Sequence, residues 1–292
     1  MVEAKQGWEA RAMTGTRTYP EGVPSWIDIE QADPAAAQEF YGGLFGWTFE
    51  AAAGPDPGAA YAIARLDGRE AAGIGAAREA ATAGATPTWN TYIAVVDADA
   101  AGRRIVEAGG RIVTAPADVD GAGRFADVAD ASGAAFRLWQ AGRRPGVQAV
   151  NVPGGWNFAD LHTSDPAEPQ FYISVFGWEF ADLGFGTLIR CPGYGDHLAA
   201  TVDPGIRERQ ASAVTPPRFE DAIGWLAPAH DDEPPHWHVS FTVGDRDRSA
   251  AAAERLGGTV LATTDTDWTR EALVRDPQGG VFTASQFIPP DR

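Results

Sequence analysis

Polar and apolar residues alternate along several short stretches of the chain, which predicts strands. The stretch HWHVSFTV (236–243) alternates strictly. Successive side chains of a strand point to opposite faces, so one face carries the polar residues and the other face packs. The polar face begins with His236 and His238. Two imidazoles in this arrangement can converge on one metal ion, although a His-x-His pair alone is a weak signal.

A long segment of the chain occurs twice. PSWIDIEQADPAAAQEFYGGLFGW (24–47) matches WNFADLHTSDPAEPQFYISVFGW (156–178). In each copy an alternating strand leads to Asp-Pro, which suits the start of a helix because aspartate caps the N-terminus and proline fits the first turn. An apolar helix face and a glycine follow. We therefore predict helices that are capped by Asp33 and Asp165 and ended by Gly46 and Gly177.

A second repeated segment completes the organisation of the chain. NTYIAVVDADAAGRRIVEAGGRIV (90–113) matches HVSFTVGDRDRSAAAAERLGGTVL (238–261), and each copy is typical of a strand, a helix capped by aspartate and a further strand. The second half also carries extra sequence between 203 and 237, which could cover a site or could equally be an excursion on the surface. The predicted division is a flexible N-terminal tail at 1–19, a first domain at 20–142, a linker at 143–150 and a second domain at 151–292.

Composition limits the possible partners of the chain. It has 292 residues, 44% of them hydrophobic, and a formal net charge of −17. Nucleic acids and anionic membranes attract basic surfaces, so we expect neither as a partner. The single cysteine cannot form an internal disulfide, and the N-terminal segment lacks the apolar core of a signal peptide. We expect a cytoplasmic monomer or homodimer.

The repeated motifs resemble those of the vicinal oxygen chelate superfamily, which contains glyoxalases, bleomycin-resistance proteins and extradiol dioxygenases. The resemblance rests on W-I-D-I with the following Asp-Pro and F-G-W, on V-x-D-x-D with Gly-Gly, and on D-P-Q-G near the end. It is strongest to tandem two-domain glyoxalase-like or "hydroxylase" proteins of the actinobacterial type. It implies an α+β fold in which each domain joins two βαβββ units into a curved sheet that forms a cup.

The resemblance also identifies the positions where metal-using members place their ligands. These positions hold Trp26, Asn90 and Arg137 in the first domain and Phe158, His238 and Thr283 in the second. An arginine repels a divalent cation, and one imidazole is fewer than the three protein ligands of typical zinc sites. We therefore expect that the superfamily metal site is lost and that the protein uses no cofactor. Replacement ligands could come from Asp160, His162 and His236 beside His238.

The strand alternation assigns side chains to both implied cups, provided that the strands have no bulges. Aromatic walls with a few polar groups suit a flat or amphipathic small molecule. The equivalent Asp28 and Asp160 could be structural or could contact a ligand. The first cup is predicted to present Trp26, Asp28, Glu30, Asn90, Tyr92, Arg137 and Trp139. The second is predicted to present Trp156, Phe158, Asp160, His162, His236, His238, Ser240, Thr242 and Thr283.

Three functions are compatible with these residues. The favoured one is the binding of a small molecule, aromatic or similar to a natural product, in one or both cups. The alternative is a metal-independent isomerase, lyase or hydratase that transfers protons through Asp160, His162, His236 or His238. A metal-dependent lyase or dioxygenase is the third, and it would need the replacement ligands. The sequence leaves the choice between binding and catalysis open.

Overall fold

The computed structural model describes residues 15–56, 58–77, 86–212, 215–229 and 233–288, which form two eight-stranded mixed sheets. Most of the predicted tail, residues 1–14, lies outside the described residues. The first sheet contains β1 (Pro24–Gln31), β2 (Thr48–Ala51), β3 (Tyr61–Leu66), β4 (Arg69–Ala76), β5 (Trp89–Ala94), β6 (Arg111–Val119), β7 (Gly123–Ala129) and β8 (Ala135–Ala141). The second contains β9 (Trp156–His162), β10 (Glu179–Asp182), β11 (Thr187–Arg190), β12 (Ala222–Ala227), β13 (His236–Thr242), β14 (Thr259–Asp265), β15 (Thr269–Arg275) and β16 (Val281–Phe287).

Helices connect the strands. Four of them follow the first strand of a βαβββ unit, and two more, with a short 3-10 turn at Phe219–Asp221, lie in the extra sequence of the second half. The helices are α1 (Pro34–Phe45), α2 (Ala98–Glu107), α3 (Glu168–Phe176), α4 (Tyr194–Thr201), α5 (Ile206–Ser212) and α6 (Arg246–Arg255).

Both sheets have the same topology. The first has the strand order β2-β3-β4-β1-β5-β8-β7-β6, and the second has β10-β11-β12-β9-β13-β16-β15-β14. In each, the first strands of two units lie antiparallel at the centre, and each of them pairs in parallel with the last strand of its own unit. The predicted α+β fold of paired βαβββ units is confirmed. The candidate site residues of each half therefore meet on the central strands.

The helix ends agree with the predicted capping residues except at α3. The carboxylate of Asp33 accepts the N–H groups of Ala35 and Ala36, while Gly46 and Gly177 end α1 and α3 with φ of 75° and 70°. Asp165 does not cap α3, because its carboxylate accepts the N–H of Ala167 and the helix begins only at Glu168. The Asp-Pro pair in the second copy thus forms a turn before the helix.

The two halves share one hydrophobic core. The ring of Phe45 on α1 lies 4.8 Å from that of Phe241 on β13, although the two residues belong to different halves. In the second half, the indole of Trp237 donates to the hydroxyl of Tyr172 at 3.1 Å. Side chains of α1 and β13 thus pack together in a core that contains residues of both halves.

Two segments that the sequence assigned to a tail and a linker are packed against the domains. Arg17, in the predicted tail 1–19, is 7% exposed and donates from Nη1 to the hydroxyl of Tyr194 at 3.0 Å. Arg17 is therefore packed against the second half, although the sequence assigned it to the tail. Within the predicted linker 143–150, the buried Val147 donates its N–H to the carbonyl of Ser25. Arg17 thereby contacts α4 of the second half, and Val147 contacts β1 of the first sheet.

Within the described ranges, no helix has both the length and the apolar character needed to cross a membrane.

Candidate functional site

The first cup centres on Asp28, whose side chain is fully buried. Its carboxylate accepts hydrogen bonds from Tyr61 at 2.9 Å, Asn90 at 2.9 Å and the hydroxyl of Tyr92. Trp26 donates from its indole to Tyr61 at 3.1 Å. The alternation of β1 and β5 places Trp26, Asp28, Asn90 and Tyr92 on one face, as the sequence predicted. Tyr61, which sequence analysis missed, joins them from β3.

Arg137 completes this network from β8. Its guanidinium lies 2.9 Å from Asp28, 2.6 Å from Glu30 and 2.6 Å from Asp127. Arg137 stands at the position where metal-using members of the superfamily are expected to carry a carboxylate ligand. In this poorly solvated site the guanidinium holds the three carboxylates through charge-assisted hydrogen bonds. The structural role that the sequence left open for Asp28 is therefore the one observed.

Most of the residues that were predicted to line the first cup are buried in the structure. Asp28 is 0% exposed and Arg137 is 6% exposed, and the indole of Trp139 donates to the backbone carbonyl of Arg144 at 2.9 Å. Tyr61 and Arg137 both donate hydrogen bonds to Asp28, and five of the seven residues predicted to line the first cup are buried. Glu30 and Asn90 alone among the predicted lining residues keep partial exposure. The buried members are Trp26, Asp28, Tyr92, Arg137 and Trp139.

The second cup carries small residues at the same register positions. Tyr92 pairs with Arg137 between β5 and β8, and Ser240 pairs with Thr283 between β13 and β16. Two residues further along the strand, on the same face, Trp139 is likewise replaced by Ser285. Two hydroxyl side chains therefore stand where the first cup holds a phenol and a guanidinium.

Neighbouring strands add residues that sequence analysis missed. Glu271 pairs with Ser285, and Leu273 pairs with Thr283, between β15 and β16. Paired residues of adjacent strands share a face, so both point to the cup side. Ser285 also donates to the carboxylate of Glu271 at 3.2 Å. The repeat alignment could have found Glu271, because the equivalent residue in the first sheet, Phe125, pairs with Trp139.

Three histidines lie together beside these hydroxyls. The ring centroid of His162 lies 4.8 Å from that of His236 and 5.3 Å from that of His238. His238 shares a hydrogen bond of 2.8 Å between Nε2 and the hydroxyl of Thr283. Burial, followed by the nearby imidazoles, lowers the pKa of His238 to about 3. His238 is therefore a neutral hydrogen-bonding group across the physiological pH range.

Asp160 occupies the position of Asp28 without an arginine partner. Its Oδ1 accepts the backbone N–H of Trp225 at 2.9 Å. Burial raises the pKa of Asp160 to about 7, the N–H of Trp225 opposes this change, and the charge of Glu271 adds to it. Desolvation dominates because no cation replaces Arg137 here.

Two predicted residues differ in their placement. Trp156 is 4% exposed and pairs with Phe241 across an irregularity in the β9–β13 register. It does not line the accessible cup, because the irregularity breaks the strict alternation on which its assignment depended. Thr242 pairs with Ser285 and is partly exposed, on the cup face.

Aromatic side chains form the rim, partly from the extra segment of the second half. Phe158 packs edge-on against Phe219 with 6.3 Å between ring centroids. Trp225 lies 6.1 Å from Phe185, which is 69% exposed at the turn between β10 and β11. The excursion at 203–237 thus places Phe219 beside Phe158, Trp225 beside Phe185 and Glu233 beside His236. The sequence left open whether this segment covers a site or is a surface excursion, and it identified none of these residues.

Comparisons with known proteins agree with this architecture. Residues 25–138 match the glyoxalase/bleomycin resistance protein/dioxygenase superfamily, and residues 158–285 match the glyoxalase-like domain. The chain is 34% identical to the "Putative glyoxylase CFP32" of Mycobacterium tuberculosis over 274 residues, which cover 93% of this chain and 97% of that protein. The chain belongs to the glyoxalase/bleomycin resistance protein/dioxygenase superfamily.

Other members differ in what their names describe. The anthracycline biosynthesis protein DnrV of Streptomyces peucetius is 34% identical over 287 residues, with 93% of this chain and 95% of that protein covered. The Mn(II)-bound glyoxalase from Novosphingobium aromaticivorans is similar in fold, with a TM-score of 0.57, 16% identity and coverage of 93% and 85% of the two chains. The 2,3-dioxygenase LapB from Pseudomonas sp. KL28 gives a TM-score of 0.57 at 15% identity, with 93% and 95% covered.

Some members of the superfamily bind a metal ion, so the residues at the expected ligand positions must be compared with the needs of such an ion. In the first half, the guanidinium of Arg137 is hydrogen-bonded among three carboxylates and offers no lone pair to a cation. In the second, Phe158 and Thr283 flank His238, whose Nε2 is within hydrogen-bond distance of Thr283. These residues do not fit a metal ion, which needs several strong donors in one place.

Proposed function

We propose that the protein binds a flat, hydroxylated aromatic molecule in the second cup, and that the inherited metal positions have lost that role. The observation that carries the proposal is the register equivalence of Tyr92 and Arg137 with Ser240 and Thr283. The first pair closes its cup, whereas the second leaves short hydroxyl side chains on the same floor. The first cup then serves as a filled structural counterpart.

The chemistry of the second cup supports this class of ligand. Phe158 and Trp225 provide apolar, aromatic surface near the rim. Ser240, Thr283 and Glu271 provide hydroxyl and carboxylate groups on the floor. Flat molecules with phenol or carbonyl groups can pack against aromatic rings while hydrogen-bonding at their edges.

The relatives give two different directions. A protein named for anthracycline biosynthesis, which is 34% identical, favours a polycyclic aromatic ligand. The relative named a "Putative glyoxylase" would favour a small carbonyl substrate. The residues at the inherited metal positions speak against glyoxalase chemistry that uses a metal there, so we propose the aromatic ligand.

Isothermal titration calorimetry with 1,4-dihydroxyanthraquinone as the probe tests the proposal. Saturable binding with one equivalent per chain is expected. The variants Ser240→Tyr and Thr283→Arg rebuild the residues of the first cup in the second and should abolish binding by occupying the space. Tyr92→Phe, in the first cup, is the matched control and should leave binding unchanged.

Two results would overturn the proposal. Failure of the unchanged protein to bind the probe would reject this ligand class, and equal binding by Thr283→Arg would reject the second cup as the site. The same samples test the acid-base alternative. If mass spectrometry shows that the probe is consumed, and Asp160→Asn stops its consumption while still binding it, catalysis replaces passive binding.

A further inference from the structure

A different set of side chains converges at the mouth of the second cup. His162 ends β9 and His236 begins β13, and the two residues are direct partners in the antiparallel register. Directly opposed residues of antiparallel strands have Cβ atoms about 4.5–5.5 Å apart, so their side chains can reach one ion. Their imidazole centroids lie 4.8 Å apart.

Glu233 adds a carboxylate to the two imidazoles. Its Oε1 lies 3.5 Å from Nε2 of His236. One donor atom from each of His162, Glu233 and His236 lies within 4.8 Å of the others. The carboxylate side chain is 38% exposed, so its rotation can close the set around an ion without moving the sheet. We infer that His162, His236 and Glu233 form a binding site for a divalent transition-metal ion.

The orientation of His236 supports this assignment. Its Nδ1 lies 3.0 Å from the backbone carbonyl of Pro234. A carbonyl accepts only, so this hydrogen bond places a proton on Nδ1, and in the neutral imidazole the lone pair is then on Nε2, the atom near Glu233. Histidine ligands of metal ions commonly hold their second nitrogen in this way. The backbone therefore orients His236 as a ligand.

His238 is outside the proposed set. Its Nε2 is engaged with the hydroxyl of Thr283 at 2.8 Å, and its ring lies 6.4 Å from that of His236 at 89°. The site is thus displaced along β9 and β13 from the inherited ligand position. It also differs from the replacement set predicted from sequence, since Glu233 takes the place given there to Asp160 and His238.

The donor types specify the class of metal. Two imidazole nitrogens and one carboxylate suit zinc and other first-row transition ions better than calcium or magnesium, which prefer oxygen ligands. Three protein ligands leave at least one coordination position open. The inference does not depend on the aromatic ligand proposed above.

Calorimetric titration of the chelator-treated, tag-free full chain with Zn²⁺ tests the site directly. One equivalent should bind per chain. Glu233→Gln and His236→Gln should each weaken binding by at least about tenfold, because loss of a direct ligand should cost no less than the 10- to 100-fold typical of an outer-shell partner. His197→Ala is the matched control, because His197 bonds to Thr18 on another part of the surface.

A second comparison separates the displaced site from the inherited one. His238→Asn should retain the affinity of the unchanged protein, and X-ray absorption at the zinc edge should show two imidazoles. Absence of zinc binding would overturn the inference. So would loss of binding in His238→Asn with retention in Glu233→Gln. Circular dichroism of each metal-free variant checks that its fold is intact. If a variant misfolds, the number of imidazoles that X-ray absorption finds around zinc in the unchanged protein tests the inference instead.

Discussion

Nη1 of Arg137 lies 2.9 Å from Oδ1 of Asp28 in the buried centre of the first cup. The equivalent position in the second half is occupied by Thr283, and Asp160 there accepts a backbone N–H from Trp225 instead of a guanidinium. Replacement of one long cation by a short hydroxyl side chain thus removes both volume and charge. The same strand framework therefore carries a buried ionic network in the first half and short hydroxyl side chains at the equivalent positions in the second.

Removal of Arg137 should strongly destabilise the protein. Arg137→Met leaves Asp28 buried without its cation, and breaking a buried pair in this way typically costs about 3–5 kcal/mol. Urea denaturation measures the change. Arg124→Ala, which breaks ion pairs with Asp99 and Asp118 at the surface, should cost no more than about 1 kcal/mol. Equal losses in the two variants would contradict the importance of the buried network.

The close approach of Tyr61 to Gly73 makes the first cup sensitive to one added methyl group. A Cβ at Gly73 would lie 1.9 Å from the Tyr61 hydroxyl oxygen and 2.9 Å from Cβ of Asp28. Gly73→Ala should therefore cost about 1–3 kcal/mol through overpacking, measured by thermal unfolding.

Gly186→Ala is the matched control in the second half, where the new Cβ would lie 3.5 Å from the Trp225 ring. This is an ordinary contact, so the variant should unfold close to the unchanged protein. A larger loss for Gly186→Ala than for Gly73→Ala would show that the first cup is not the more tightly filled.

Two tyrosines connect the halves through buried hydrogen bonds. The hydroxyl of Tyr41 donates to Asp276 at 2.7 Å, and that of Tyr172 donates to Asp130 at 2.7 Å. Tyr41→Phe and Tyr172→Phe should each cost about 1.5–3 kcal/mol, as expected for hydrogen bonds to charged groups. Calorimetry should still show one unfolding transition, because both halves share the core. Two separated transitions would contradict that coupling.

The pH dependence of stability should reveal Glu168. Burial, with the charges of Asp130 and Asp165, raises the pKa of this carboxyl to about 7. Its folded-state pKa lies above the unfolded value of about 4.3, so its favourable contribution is present at low pH and lost as the pH rises through 7.

Glu168→Gln should therefore gain stability relative to the unchanged protein between about pH 4.3 and pH 7, as the unchanged protein loses its proton. The gain should be on the order of 1–3 kcal/mol, since a tenfold change in proton affinity corresponds to about 1.4 kcal/mol and solvent access reduces the effect. Thermal melts at pH 4 and pH 8 measure it. Glu254→Gln on the exposed face of α6 is the control, and a parallel gain there would remove the assignment to Glu168.

Local patterns predicted much of the framework. The caps at Asp33, Asp97 and Asp245 depend on residues within one turn, and all three accept helix N–H groups as expected. The cap predicted at Asp165 does not form, because a longer turn separates this residue from the first residue of α3. The face predicted for Trp156 was wrong because an irregularity in the β9–β13 register interrupts the alternation of side chains along β9. Such an irregularity is not visible in the alternation pattern of the sequence.

The sequence by itself determined the repeat, the superfamily, the βαβββ units and the polar faces that carry Asp28, Asp160 and the histidines. These follow from periodicity and capping, which act over a few residues. Only the tertiary structure decided that Arg137 closes one cup, and that Glu233 and Glu271 approach the other. Those outcomes depend on volumes and charges brought together from strands and loops far apart in sequence, and no local pattern contains that information.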